Sequence, residues 1–426
     1  MIVPYPVTNQ LYAQKIREMM LNDYHLYELS DLRGTKVFAD AMVTSTIFYV
    51  EKTKKESDIA ISTMINASLQ KFNIKTKESL VQDEKSFIWN LDNDNKKADR
   101  HSNMNALGDF CYISKGMVLN ADEKKAKGEF VKDDLISNTK DIIHCKDYIE
   151  GKDLDRYTIK RVRYLEYNTE RSPKQLSRPT FEELYTNPKL LINAMGDLKA
   201  SVDLDSRYYC EQQVRVALLW KDLKDVENNS ISGSIKKFSK YTREIMQDLS
   251  NQVELLYLLS ILNSKYGAYL LSTIRGGDFH IVPEHIRNIP IPLINIEDQQ
   301  PFIALADKML SLNSDLQQKR SRFLRRLQDN FEGVKITGAL EQFDTMEFAE
   351  FLKELKKQKI TLSLSQQDEW EEYFNQYKTE CNNLSAEIAA TDNAIDFNVY
   401  KLYGLTYDEV LVVDKDTKIT REEYEK

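Results

Sequence analysis

The chain has 426 residues, 42% of them hydrophobic, with 59 Lys and Arg against 67 Asp and Glu and a formal net charge of −8. That length supports two or three domains with real cores, and the acidic balance argues against a uniformly basic nucleic-acid binder. The longest apolar run, Val253 to Leu262 (VELLYLLSIL), is about half of what a membrane span needs, and no basic-then-apolar leader precedes the first helical pattern. A cytoplasmic location with no membrane partner is expected. Cys111, Cys145, Cys210 and Cys381 stand singly, with no CxxC pair, and read as buried thiols.

Net charge is an average, and its distribution says more. Residues 341–426 carry 20 acidic and 10 basic side chains, which leaves residues 1–340 at 49 basic against 47 acidic. The acidity sits in the tail. Within the front part, Arg156, Lys160, Arg161, Arg163, Arg171, Lys174 and Arg178 face only Glu166 and Glu170. Tyr157, Tyr164 and Tyr167 interleave with them, and Lys236, Lys237, Lys240, Tyr241 and Arg243 form a shorter basic patch.

In chain order, Asn9–Asn22 predicts a helix, Leu26–Leu32 a strand, and VTSTIFYVEK the closing strand of a hairpin before the charged break KTKKESD. From about 56 to 297 the pattern is mixed. TIKRVRYLEY and QQVRVALLW predict strands between polar loops, and NIPIPLIN, with prolines at alternate positions, predicts an extended linker. Beyond it, Phe302, Leu305, Met309, Leu312, Leu316, Phe323 and Leu327 recur at helical steps. So do Trp370, Phe374, Tyr377, Cys381, Leu384, Ile388 and Ile395. Two helices of about 40 Å are expected at 1.5 Å per residue, with a shorter one at TMEFAEFLKELKKQK, and their apolar stripes read as packing rather than chemistry.

Catalytic signatures are scarce. His25, His101, His144, His280 and His285 form no HxxxH or HExxH pair. There is no GxSxG elbow, phosphate loop, GxGxxG turn or PD…ExK cluster, and RGGDF has no convincing strand before it or helix after it. Neither a metal site nor a reaction is legible from the residues alone.

Four stretches, GDFCYISKGMVLN, YIEGKDLDRYTIKRVRYLEY, SRPTFEELYTNPKLLI and LLSILNSKYGAYLL, resemble the target-recognition domains of restriction-modification proteins. The following IRNIPIPLINIEDQQPFIALADKML is similar to the passage from recognition domain to helical spacer in type I specificity subunits and TaqI-like methyltransferases. The ending IDFNVYKLYGLTYDEVLVV resembles the C-terminal signature of type IIG enzymes. The opening stretch from VPYP to IFYVEK looks like the closing third of an adenine-specific methyltransferase domain, the part that follows the catalytic (D/N)PP(Y/F) loop. Neither that loop nor the glycine-rich S-adenosylmethionine turn is present, since Pro4 and Pro6 are not adjacent. The resemblance matches Phe38 to the aromatic that stacks on a flipped adenine, where a π-face replaces lost base stacking. Phe38 reads equally as an ordinary core phenylalanine before a hairpin.

The expected fold is α+β. A mixed recognition domain with substantial sheet (105–297) is followed by a helical spacer and C-terminal helical region (298–426). It is preceded by a methyltransferase-like α/β remnant (1–55) and a connecting segment (56–104). The implied function is sequence-specific DNA recognition for a type IIG-like adenine methyltransferase, with Arg156, Lys160, Arg161, Arg163, Arg171, Lys174, Arg178, Lys236, Lys237, Lys240 and Arg243 as candidate DNA contacts. Each could equally be a solvated surface charge. No cofactor is expected in this chain, S-adenosylmethionine belonging to the parent enzyme, and the chain alone is expected to be inactive. Double-stranded DNA and a methyltransferase N-terminal half or subunit are the expected partners. The alternatives are a helical protein-interaction scaffold derived from such an enzyme, or a chain that carries its family's methyltransferase name without the residues for methyl transfer.

Overall fold

The computed structural model describes residues 1–32, 37, 44–65, 68–83, 87–91, 101, 104–119, 130–276 and 279–426. The chain is mixed α and β, and it divides into two units, Met1–Ala106 with Tyr269–Pro290, and Leu107–Ala268 with Ile291–Lys426.

The first unit is built on a five-stranded sheet. Strands β1 (Ile2–Pro4), β2 (His25–Asp31), β3 (Ser45–Glu51), β4 (Ile59–Ile65) and β5 (Ser68–Lys75) lie in the order β1-β3-β2-β4-β5. β2 pairs antiparallel with β3, which is the hairpin predicted from the sequence, and parallel with β4. Residues 56–104, expected as a connecting segment, thus supply two strands of this same sheet. Their polar alternation (SLQKFNIK) had concealed a strand paired along one edge only. Helix α1 (Gln14–Asn22) packs Met20 and Leu21 into a core with Leu26, Leu29, Phe48, Ile61 and Trp89. Arg17, fully buried, donates to the carbonyls of Val7 at 2.7 Å, Gln10 at 2.8 Å and Phe87 at 2.6 Å. Burial lowers its pKa to about 10. Residues 269–290, expected within the recognition domain, return to this unit. Gly276 adopts φ +61°, and a Cβ there would stand 2.2 Å from Tyr5 Cε1. Only glycine fits the close approach, which is the structural use of the first glycine of RGGDF. Phe38 lies outside the described residues.

The second unit carries two four-stranded sheets. In one, Arg163–Glu166 lies between Ile136–Ser137 and His144–Ile149, and Tyr209–Cys210 completes the edge. In the other the order is Ala200–Asp203, Lys189–Asn193, Val214–Leu219, Cys111–Lys115, all antiparallel. QQVRVALLW predicted a strand, and Val214–Leu219 is one, buried at every position and paired on both sides. Tyr148, Leu165, Leu191, Tyr209, Val216 and Trp220 belong to the shared core.

Helices follow: α2 (Asn229–Phe238), α3 (Arg243–Ser250), α4 (Leu255–Asn263) and α5 (Lys265–Arg275). The apolar run VELLYLLSIL is α4, whose residues are buried almost throughout, so its hydrophobicity belongs to a core. Among the described residues no helix is long and apolar enough to cross a membrane.

The two long helices are α6 (Ile296–Asn330) and α8 (Leu364–Leu402), with α7 (Phe348–Lys357) between them. At 35 and 39 residues they run about 52 and 58 Å, longer than the apolar stripes alone implied. The excess is polar: Ser363 caps α8, its side chain accepting from Gln366 N–H while the Gln366 side chain answers. The stripes meet as expected. Phe323 stacks 3.8 Å from Phe343 and contacts Phe351, Trp370 and Phe374 in one aromatic core.

Candidate nucleic-acid interface

The basic strip from Arg156 to Arg178 does not form one surface. Strand alternation turns Arg163 to the same face as Leu165. Its guanidinium is buried, forking onto Asp153 and lying 3.4 Å from Glu150. Glu150 in turn holds Lys132 at 2.6 Å and Lys152 at 2.7 Å. Burial works to raise the Glu150 pKa, but these ammonium groups outweigh it and hold the carboxyl at about 2. Arg171 pairs with Glu166.

Arg156 reaches furthest. It pairs with Asp392 of α8 and donates to the carbonyl of Asn263 at 2.5 Å. Asn263, the last residue of α4, uses its side-chain amide as a strand would: Oδ1 accepts from Ala200 N–H and Nδ2 donates to Ala200 C=O, both at 2.9 Å. One turn along α8, buried Asp396 accepts from the backbone N–H of Lys265 at 2.8 Å. The Lys265 ammonium reaches Asp414 at 2.6 Å. The stretches YIEGKDLDRY and LLSILNSKYG thus meet at one polar clasp that fastens a sheet to a long helix. Sequence reading missed Asn263, Asp392 and Asp396, because their partners lie far away along the chain.

The remaining cations are exposed. Lys160 pairs with Asp155 at the surface, Arg161 donates to Asn138 Oδ1 at 2.6 Å, and Lys174 and Arg178 stand open to solvent. Arg178 borders a cleft of about 370 Å³ with the polar side chains of Ser114, Ser177, Thr180, Asn228 and Ser230 and the apolar ones of Pro179 and Phe181. Gly116 beside it is obligatory: a Cβ there would lie 2.2 Å from the Glu211 carbonyl. α2 leads from this cleft to exposed Lys236 and Lys237, with exposed Lys240 just beyond. Arg243, by contrast, turns inward to the carbonyls of Leu223 and Val226, the latter at 2.7 Å.

A second cleft, about 480 Å³, lies between the long helices and is lined by Asp315, Lys319, Arg322, Glu380 and Glu387 among others. Gln318, Asn383 and Leu384 complete its helical walls. Among the described residues no three His, Cys, Asp or Glu side chains group as a metal site requires. Cys111, Cys210 and Cys381 are buried and Cys145 is half-buried.

A family model described as a domain of unknown function, DUF8810, matches residues 295–399, which take in α6, α7 and most of α8. No curated protein matches the chain. Among solved structures it is similar to the type IIG restriction endonuclease BpuSI, with 12% identity and a TM-score of 0.26 over 72% of this chain and 41% of that one. It is similar also to the type IIL restriction-modification enzyme MmeI, solved in complex with DNA, with 8% identity and a TM-score of 0.39 over 94% of this chain and 49% of that one. The chain therefore spans less than half the length of each.

Proposed function

We propose that this chain is the sequence-specific DNA-recognition portion of a type IIG-like adenine-specific restriction-modification methyltransferase, without the cofactor and catalytic loops of that enzyme. The observation that carries the reading is the clasp of Arg156, Asn263 and Asp392. It fastens a sheet-bearing unit to a long helix through the motifs that resemble recognition domains, while Lys160, Arg161, Lys174 and Arg178 remain exposed. A recognition domain needs both properties, a rigid mount and free cations for phosphates and base edges. The methyltransferase half would be the partner of residues 1–55. α1 and the turn before it support that role, since Ile16 and Met19 of α1, exposed by 42% and 38%, lie one helical turn apart and Tyr12, exposed by 73%, stands in the preceding 3-10 turn.

The salt dependence of binding to a mixed duplex library tests the reading. Replacing Lys160, Arg161, Lys174 or Arg178 with Ala should flatten the slope of log affinity against log salt by about 0.9 for each phosphate no longer neutralised. Lys356→Ala and Lys357→Ala in α7 should leave it unchanged. A base-reading arginine would instead relax sequence choice at one position, at a cost of roughly 1 to 3 kcal/mol on the preferred site. If only the α7 variants lose affinity, the scaffold reading replaces this one. By calorimetry the isolated chain should show no micromolar binding of S-adenosylmethionine, and heat from a saturable site would show that a cofactor site had been overlooked.

A further inference from the structure

β2 and β3 are antiparallel neighbours, and their register sets His25 directly opposite Glu51. Opposed residues share one face of a sheet. β4 lies on the other side of β2 and parallel to it, so the connection 52–58 from β3 to β4 has to cross the end of β2 that begins with His25. That crossing brings Ser57 onto the imidazole. His25 Nδ1 stands 3.1 Å from Glu51 Oε2, and Nε2 stands 2.7 Å from Ser57 Oγ.

The protons follow from what each partner can do. An ionised carboxylate only accepts, so Nδ1 carries the hydrogen and donates to Glu51. The neutral ring then keeps its lone pair on Nε2, and Ser57 O–H donates to it. A hydroxyl bonded to a base that a third group orients is the arrangement that activates a serine as nucleophile. With every partner buried, these bonds would make His25 no more than a satisfied core residue. Here the imidazole is buried and Ser57 is exposed, so the hydroxyl is held against a base and open to a substrate at once. His25, Glu51 and Ser57 form no local motif, since strand register and the crossing loop assemble them.

We propose that Ser57 is an acyl-accepting nucleophile for activated carboxylic esters, with His25 as its general base and Glu51 positioning the ring. Ser57 Oγ adds to the ester carbonyl carbon while its proton passes to His25 Nε2. The tetrahedral adduct collapses, the bond to the leaving oxygen breaks, and the imidazolium protonates that oxygen, giving acyl-Ser57 and an alcohol. Water then attacks the acyl carbon, its proton passing to the same nitrogen and on to Ser57 Oγ as the carboxylic acid departs. This activity stands apart from DNA recognition and needs no second partner.

The test mixes the full chain with p-nitrophenyl acetate and, separately, with a fluorophosphonate. The wild type should release a burst of about one p-nitrophenolate per chain, and peptide mass spectrometry should place the phosphonyl group on Ser57. Ser79, exposed in the same unit but donating its hydroxyl to the Thr76 carbonyl at 3.1 Å, should stay unlabelled. Ser57→Ala should abolish burst and label. His25→Ala should slow acylation about a hundredfold. Glu51→Gln should keep the burst amplitude while its rate falls by about tenfold or more, a split that general loss of structure would not produce. Ser57 and Glu51 are exposed, so their variants remain informative even where His25→Ala unfolds. Absence of a burst from the wild type, or labelling of Ser57 at the wild-type rate in Glu51→Gln and in folded His25→Ala, would overturn the proposal.

Discussion

Arg163→Ala should lose about 3 to 5 kcal/mol of folding stability, whereas Arg161→Ala, two residues away, should stay within about 0.5 kcal/mol of the wild type. The contrast follows from what each guanidinium touches. Arg163 is 8% exposed at its side chain and faces Asp153 and Glu150, themselves 7% and 8% exposed. Its removal leaves Asp153 a buried carboxylate without its fork, while Glu150 keeps Lys132 and Lys152. Arg161 is exposed and donates to the side chain of Asn138. Arg163→Lys should recover only part of the loss, because a point charge cannot reproduce two parallel donors. Urea denaturation measures this directly: the midpoint should fall with little change in slope. Coincident curves for Arg163→Ala and the wild type would show that the buried network is not needed for the fold. Any DNA affinity that Arg163→Ala loses would therefore come from unfolding and not from a missing phosphate partner.

The second large effect is a pH dependence centred on Asp396. The group is 2% exposed. Burial first, and then the neighbouring charge of Asp392, raises its pKa from 3.8 to about 7, against the opposing pull of the Lys265 backbone N–H, the Lys265 ammonium and Arg156. Tyr157, Tyr400 and Asp414 also face the clasp. Folding therefore takes up a proton at this position between the unfolded and folded pKa values. Stability from this group is greatest below the unfolded value and is lost as pH rises through about 7. Asp396→Asn keeps the acceptor for Lys265 N–H and removes the titration. Its advantage over the wild type should grow by on the order of 3 kcal/mol between pH 5 and pH 8, read from paired denaturation curves at the two pH values. Parallel pH profiles for the two proteins would contradict a proton held at Asp396.

These two residues also separate what is legible in a sequence from what is not. The stripes of Phe323, Leu327, Trp370, Phe374 and Cys381 revealed two long helices and their mutual core, because helical periodicity is local and survives without knowledge of a partner. The central strand Val214–Leu219 and the hairpin of β2 with β3 were legible for the same reason. The fate of each charge was not. Seven basic side chains in one strip looked equivalent by count, although strand alternation of Arg163 with Leu165 offered a hint that one of them pointed inward. No local rule could have paired Arg156 with Asp392, 236 positions away, or turned Asn263 toward Ala200. Likewise β4, β5 and residues 269–290 joined the first unit through strand pairing and side-chain packing that leave no local period. Sequence alone determined the elements that carry a clear local period and the apolar faces that must be covered. Tertiary structure decided which cations are spent on internal carboxylates and which stay free, because an ion pair depends on the position of its partner in space, and composition records only that both are present.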